Sequence, residues 1–295
     1  MQCIQGKNTN KYNICWAGNG KSFYELYNIC QFIPYAKGFN SEGWIKYHIP
    51  KQMEDDKTYF FVLKKEFKQL KSDSLPEIWC INLERRPDRK EKMIKSGHAI
   101  NFFKAVDGKE LTMTDQIKTM FKNNDFKWRR AIIGVALSHY NLWLQLLNSE
   151  RESYLIVEDD VEFCDDFKNK LSHAYAQLEG KDWDMLYLGF SMFQEDRNPF
   201  EPDFWNDDYP DVNPWDKFFF GAGFFGYVIS RQGAQKLVSF IQQHGVLRAI
   251  DCIPKQLLYF NRFFTLPHLI RTPCYDPIIN KNVDTDIQTD KSTLI

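Results

Sequence analysis

From about residue 75 onward, short apolar runs alternate with amphipathic ones, the pattern of strands and helices packed in layers. Ile78 to Leu83 reads as a first strand, stopped by Arg86-Pro87 because a proline cannot continue a ladder. Phe102 to Val106 reads as a second, closed by the turn pair Asp107-Gly108. Ile133, Leu137, Tyr140, Leu144 and Leu147 recur at steps of four and three, which predicts an amphipathic helix. Ser138 and His139 fall opposite or beside its apolar stripe. Tyr154 to Val157 is an uninterrupted apolar strand that runs directly into Glu158-Asp159-Asp160. Met185 to Leu188 and Phe224 to Ile229 are further strands, and a helix from about Gln232 to Gln243 follows, with Ser230 placed to cap it. The expectation is an α/β domain with helices packed on a sheet.

Two stretches break this rhythm. The polar run Lys71-Ser72-Asp73-Ser74-Leu75-Pro76 marks a boundary, giving a small segment 1–74 and a main domain 75–295. Phe190 to Trp215 is rich in Pro, Asp, Asn and aromatic residues and has no periodicity, which predicts a long functional loop whose rings could stack on a sugar face.

Composition narrows the class. Hydrophobic residues make up 43% and aromatic residues 16%, enough for a substantial core. With 38 basic and 39 acidic residues the formal charge is −1, so no global field draws the chain to nucleic acid or anionic lipid. The best basic cluster, Arg85, Arg86, Arg89 and Lys90, is too short for a nucleic-acid surface. The seven cysteines form no CxxC pair, which argues against a zinc site and favours buried thiols over disulfides. The N-terminal residues lack the apolar core of a signal peptide, and the longest apolar stretch, Phe218 to Ile229, is too short to span a bilayer. The reading is a soluble chain with no transmembrane segment, in the cytoplasm rather than a secretory lumen.

The acidic triplet carries the chemistry. Hard cations such as Mn²⁺ and Mg²⁺ take oxygen ligands, and clustered carboxylates at a strand end are what they need. If the strand geometry continued, Glu158 and Asp160 would project to one side and Asp159 to the other. One carboxylate could then hold a metal while another meets a donor ribose or sugar. A solvated turn after a strand is the plainer alternative. It leaves three adjacent acids uncompensated wherever the site is buried.

Several strings occur in order: Ile81-Asn82-Leu83-Glu84-Arg85-Arg86-Pro87-Asp88-Arg89, Ala105-Val106-Asp107-Gly108, Gly134-Val135-Ala136-Leu137-Ser138-His139 and Leu155-Ile156-Val157-Glu158-Asp159-Asp160. Trp183-Asp184-Met185-Leu186-Tyr187-Leu188-Gly189, Gly226-Tyr227-Val228-Ile229-Ser230 and Ile250-Asp251 follow. Together they resemble the successive signatures of glycosyltransferase family 25, which contains procollagen galactosyltransferases and bacterial enzymes that extend lipooligosaccharide. The resemblance covers about Pro76 to Asp290.

It implies a GT-A fold, a UDP-sugar donor (often UDP-galactose), Mn²⁺ or Mg²⁺, and inversion at the anomeric carbon. The acceptor it implies is a hydroxyl, on hydroxylysine of a collagen-like protein or on a glycan. By position, Asn82, Arg86, Arg89, Asp107, Ser138, His139, Glu158 and Asp159 are expected at the donor, and Asp160, Glu158 and Asp286 at the metal. Asp251, which precedes a helix suggested by Leu257 and Leu258, is expected as the general base. For each a structural role stands beside the functional one: a solvated basic turn for the arginines, Asp-Gly turn chemistry for Asp107, a packed helical histidine for His139, a helix-terminal acid for Asp251. The family often has a histidine where this chain has Cys274, with His268 the nearest, so the C-terminal metal ligand departs from the pattern. In the first segment, Cys30 with Gly38 to Lys46 resembles the core of PAN/apple-type modules, one expected cysteine being absent; a plain packing extension is the alternative. For the whole chain the alternative to a transferase is a catalytically silent binding or adhesion protein on the same fold.

Overall fold

The computed structural model describes residues 75–192, 209–215, 221–272 and 291–295 and, as backbone strands, 2–5, 13–16, 38–40, 44–46, 59–62, 275–276 and 281–282. The chain divides into two compact units, Met1–Lys68 and Gln69–Ile295. In the first, β1 (Gln2–Gln5), β2 (Asn13–Trp16), β3 (Gly38–Asn40), β4 (Trp44–Lys46) and β5 (Tyr59–Val62) form an antiparallel sheet in the order β1-β5-β3-β4-β2.

The second unit contains β6 (Glu77–Asn82), α1 (Pro87–Lys95), β7 (Ile100–Lys104), α2 (Asp115–Met120), α3 (Arg130–Leu147), β8 (Ser153–Glu158), β9 (Glu162–Phe163), α4 (Phe167–Ala176), β10 (Met185–Tyr187), β11 (Ser191–Met192), β12 (Asp211–Pro214), β13 (Gly221–Ala222), β14 (Gly226–Ser230), α5 (Arg231–His244), β15 (Arg262–Leu266) and β16 (Ile270–Arg271). Seven strands form one sheet in the order β12-β15-β10-β14-β8-β6-β7. β7, β6, β8, β10 and β15 share one direction; β14 and β12 run against them. This mixed, mostly parallel sheet flanked by helices is the α/β architecture expected from the sequence.

The sheet is covered on both faces, so its central strands read as continuous apolar runs rather than alternating ones. On one face Cys80, Leu155, Val157, Leu186 and Val228 pack with Met93 of α1 and with Phe167, Leu171 and Ala174 of α4. On the other, α3 packs with α5, and Trp143 of α3 meets Phe224 and Tyr227. Local chemistry starts the helices. Pro87 occupies the first turn of α1, where a missing N–H costs nothing. Thr114 and Ser230 cap α2 and α5 by accepting from the backbone N–H of Ile117 and Gly233.

Three expectations need correction. The stripe on α3 is broader than Leu137, Leu144 and Leu147, which are only half-buried, whereas Ala136, Ser138, His139, Trp143 and Leu146 are buried. The helix is pressed between the sheet and α5, so it buries more than one stripe. The helix expected at Leu257-Leu258 is instead a 3-10 turn, Ile250–Lys255, and Leu258 is 91% exposed. Pro254 falls inside that turn and supplies no N–H to extend it. Within the expected loop, residues 211–214 pair with β15 as an edge strand, where Pro214 is tolerated because no neighbour lies beyond it in the sheet.

Candidate active site

The carboxyl ends of β6 and β8 lie side by side, with Ile81 opposite Glu158, and the start of antiparallel β14 joins them there, with Gly226 opposite Val157. In open α/β sheets this is the end at which ligands bind. A cavity opens here, walled by Leu83, Arg85 and Arg89 on one side, Asp107, Ser138 and His139 on another, and closed by Glu158, Asp159 and Asp160.

The period of the strand carries as far as Glu158 and Asp159. Glu158 turns toward α3, where its Oε1 lies 3.4 Å from His139 Nε2. Asp159 turns toward α1 and β6: it accepts from Asn82 Nδ2 at 2.7 Å and from Arg89 Nη1 at 2.7 Å. Asp160 departs from the expected pairing with Glu158. Strand geometry ends at Glu158, and the turn brings Asp160 Oδ2 within 3.5 Å of the same Arg89 nitrogen.

Burial is the largest influence on Asp159 and raises its pKa above the ordinary carboxylate value, while Arg89 and Asn82 oppose it. Burial also works against the charge of Arg89, but the hydrogen bond to Asp159 and the charges of both acids outweigh it and raise its pKa. Beneath them, burial and then the nearby acids push the Cys80 thiol up, so it stays protonated. Each ion in this cluster therefore depends on its partner.

Asn82 is buried and acts from behind the cavity wall, holding Asp159 and also donating to the Arg86 carbonyl at 3.2 Å. Arg86 does not line the cavity. Its guanidinium forks onto exposed Asp88, holding that carboxyl down at about 2. Arg85, one residue earlier, is the one that faces the cavity, donating to Asp107 Oδ2 at 2.7 Å. Asp107 also accepts from Lys109 N at 2.9 Å, so its Asp-Gly turn chemistry and its place on the wall hold together. Ser138 braces that wall, accepting from Val106 N at 2.9 Å and donating to the Gly134 carbonyl. Close approach requires a glycine at 134, where a Cβ would fall 2.6 Å from the Val106 carbonyl oxygen.

Asp251 does not line this cavity. It sits in the 3-10 turn, and its Oδ2 accepts from Gly223 N at 3.0 Å. Gly223 leads into Phe225, whose carbonyl accepts from Glu158 N at 3.0 Å, so Asp251 serves the same end of the sheet. Asp286 lies outside the described residues. His268 is buried against Phe190, and burial pushes its pKa down to about 3, so it is neutral. Among the described residues no three His, Cys, Asp or Glu side chains converge as a metal-ligating group. The carboxylate oxygens of Asp160 and Glu158 nevertheless suit a hard divalent cation in donor type, and both residues border the cavity.

The profile of glycosyltransferase family 25 (LPS biosynthesis protein) matches residues 75–253, which hold every site residue discussed here except Asp286 and His268. The chain belongs to glycosyltransferase family 25. Human procollagen galactosyltransferase 2 is 34% identical over 178 residues, covering 55% of this chain and 27% of the relative. A putative glycosyltransferase of Acanthamoeba polyphaga mimivirus is 31% identical over 219 residues, 72% of this chain and 67% of that one. A glycosyltransferase 25 family member of Drosophila melanogaster is 33% identical over 180 residues, 56% of this chain and 28% of the relative. The match thus spans only about a quarter of the length of the human and fly proteins. No helix among the described residues is long and apolar enough to cross a membrane.

Proposed function

We propose that this chain transfers a hexose, galactose first among them, from a UDP-sugar to a hydroxyl acceptor with inversion at the anomeric carbon. The observation that carries the reading is the cluster of Asn82, Arg89 and Asp159 at the paired ends of β6 and β8, with Glu158 and Asp160 beside it on the cavity wall. A departing diphosphate gathers negative charge, and Arg85 and Arg89 are the guanidinium groups on that wall able to meet it. Asp159 keeps Arg89 aimed, because a buried carboxylate and a guanidinium hold each other in one geometry. Asp107 and the braced segment around it form the side suited to uridine. A bound Mn²⁺ or Mg²⁺, held by Asp160 with Glu158, would supply charge neutralisation on the leaving group. Asp251 is the base in this reading, taking the proton from the acceptor hydroxyl as it attacks. The names of the procollagen relatives support a collagen-like protein as the acceptor; in this reading its hydroxyl is that of hydroxylysine, with a glycan hydroxyl as the other choice.

The test is thermal unfolding with UDP and Mn²⁺, followed by a screen of UDP-sugars for hydrolysis and transfer. Ligand at 100 times its Kd stabilises the native state by about 2.7 kcal/mol. Asp160→Asn should remove the Mn²⁺-dependent part of that gain and abolish transfer without unfolding the chain. No stabilisation and no turnover of any UDP-sugar would refute the reading. Binding without turnover on any acceptor would point to a binding protein on the same fold.

A further inference from the structure

Next to Glu158, the cavity-lining His139 is backed by two buried side chains, Trp143 and Tyr227, that do not line the cavity. Tyr227 of β14 is fully buried, and its hydroxyl is 3.0 Å from Trp143 Nε1 and 2.8 Å from His139 Nδ1. His139 is itself fully buried, with its other nitrogen 3.4 Å from Glu158 Oε1. The fold brings them together in a simple way. His139 and Trp143 are four residues apart on α3 and share a face. Tyr227 stands opposite Ile156, two residues before Glu158 and on its side of the sheet.

We infer that Trp143, Tyr227 and His139 form a positioning relay that sets His139 with Nδ1 accepting from Tyr227 and its Nε2–H facing Glu158, and thereby holds the Glu158 carboxylate in one orientation at the donor cavity. An indole N–H can only donate, so the Tyr227 oxygen is an acceptor toward Trp143. The tyrosine has one proton left to place. Among the described residues the only other polar atom within its reach is His139 Nδ1, which must then accept. That leaves the imidazole proton on Nε2, pointing at the carboxylate. The opposite tautomer would leave the fully buried Tyr227 O–H without an acceptor among the described residues and turn a bare nitrogen lone pair toward an anion, two unfavourable terms. Phe224 packs on both rings, at 5.3 Å from His139 and 4.7 Å from Tyr227, and so presents them with an apolar neighbour. The donor-only chemistry of Trp143 thus decides which proton faces Glu158, three hydrogen bonds away. His139 borders the cavity, and the role assigned to it here is that of a positioning residue for the Glu158 carboxylate.

The tautomer follows from the buried geometry alone, and the benefit to donor binding rests on the proposed function; one experiment separates them. The full chain, labelled with ¹⁵N-histidine, is studied by two-bond proton–nitrogen correlation at neutral pH, with His139 assigned by its loss in His139→Gln. The expected spectrum shows Nε2 protonated and Nδ1 bare, and Tyr227→Phe should abolish that single-tautomer state. A wild-type Nδ1–H tautomer, or a doubly protonated ring, would overturn the inference whatever the enzyme does. UDP titration then compares His139→Gln, whose amide can still donate toward Glu158, with His139→Leu, which cannot. Glutamine should retain UDP affinity to within a few-fold of wild type, and leucine should lose tenfold or more at equal melting temperature. Equal losses in the two would overturn the positioning role. Failure of the wild type to bind UDP would refute the proposed function, with the tautomer still read independently.

Discussion

Replacing Arg89 with methionine tests the centre of the site most directly. Arg89 and Asp159 have side chains only 11% and 8% exposed and are 2.7 Å apart. Removing one member of a buried ion pair costs about 3–5 kcal/mol, because the other is left as an uncompensated charge. Asn82 still donates to Asp159 at 2.7 Å, and methionine refills much of the arginine stem, so about 3 kcal/mol is expected near pH 7. For a unit of this size that lowers the melting temperature by about 6–12 °C. The penalty should also depend on pH. Burial already holds the folded pKa of Asp159 above its ordinary value of 3.8, with Arg89 opposing, so the folded state binds the proton more tightly than the unfolded state does. Stability from such a group is fully present below the unfolded pKa and is lost as pH rises through the folded one. Without Arg89 the folded pKa climbs further, so the variant should be nearly wild-type in stability around pH 4 and fall away toward neutrality. Chemical unfolding of both proteins at the two pH values, in chelated metal-free buffer, makes the comparison. A deficit below about 1 kcal/mol at pH 7, or one equal at both pH values, would show that Asp159 does not depend on Arg89 and would undo this account of the cluster.

Two further substitutions probe the walls. Gly134→Ala places a methyl group 2.6 Å from the Val106 carbonyl oxygen and 2.9 Å from Gly108 N, so the segment bearing Asp107 must move. A loss of about 1–3 kcal/mol is expected, with a raised KM for the UDP-sugar; unchanged melting and unchanged KM would show that the segment yields freely. Asp251→Asn keeps an oxygen to accept from Gly223 N, so stability and UDP affinity should hold while kcat falls about 10²–10⁴-fold. Near-normal kcat would leave Asp251 as a brace for the 223–225 segment and move the search for a base elsewhere.

Most of the fold was legible because the sheet is buried on both faces. Tyr154 to Val157 and Met185 to Leu188 read as strands from their apolar runs, and Ser230 before the amphipathic run to Gln243 announced a capped helix that is found at Arg231–His244. What escaped were elements defined by tertiary context. Asp211–Pro214 has no strand pattern of its own and becomes one by lying along β15. Ser138 and His139 looked marginal to a stripe, since the sequence of α3 cannot tell that α5 closes its other side.

The site was legible at the level of strings and less so at the level of single side chains. A string such as Glu84-Arg85-Arg86 places guanidinium groups in the turn after β6, but the backbone path of that turn decides which one faces inward. Here Leu83 O accepts from Arg86 N at 2.9 Å, closing the turn so that Arg86 points to Asp88 and Arg85 to Asp107. The acidic triplet shows the same limit: alternation assigned Glu158 and Asp159 to opposite sides because β8 still governs them, and it lost Asp160 where the ladder ends. Periodicity therefore assigns the sides of residues inside an element, whereas the residues one step beyond it, where ligands bind, take their direction from hydrogen bonds made by neighbours far away in the chain. Asn82, seventy-seven residues from Asp159, is such a neighbour, and its amide rather than any local preference turns that carboxylate toward Arg89.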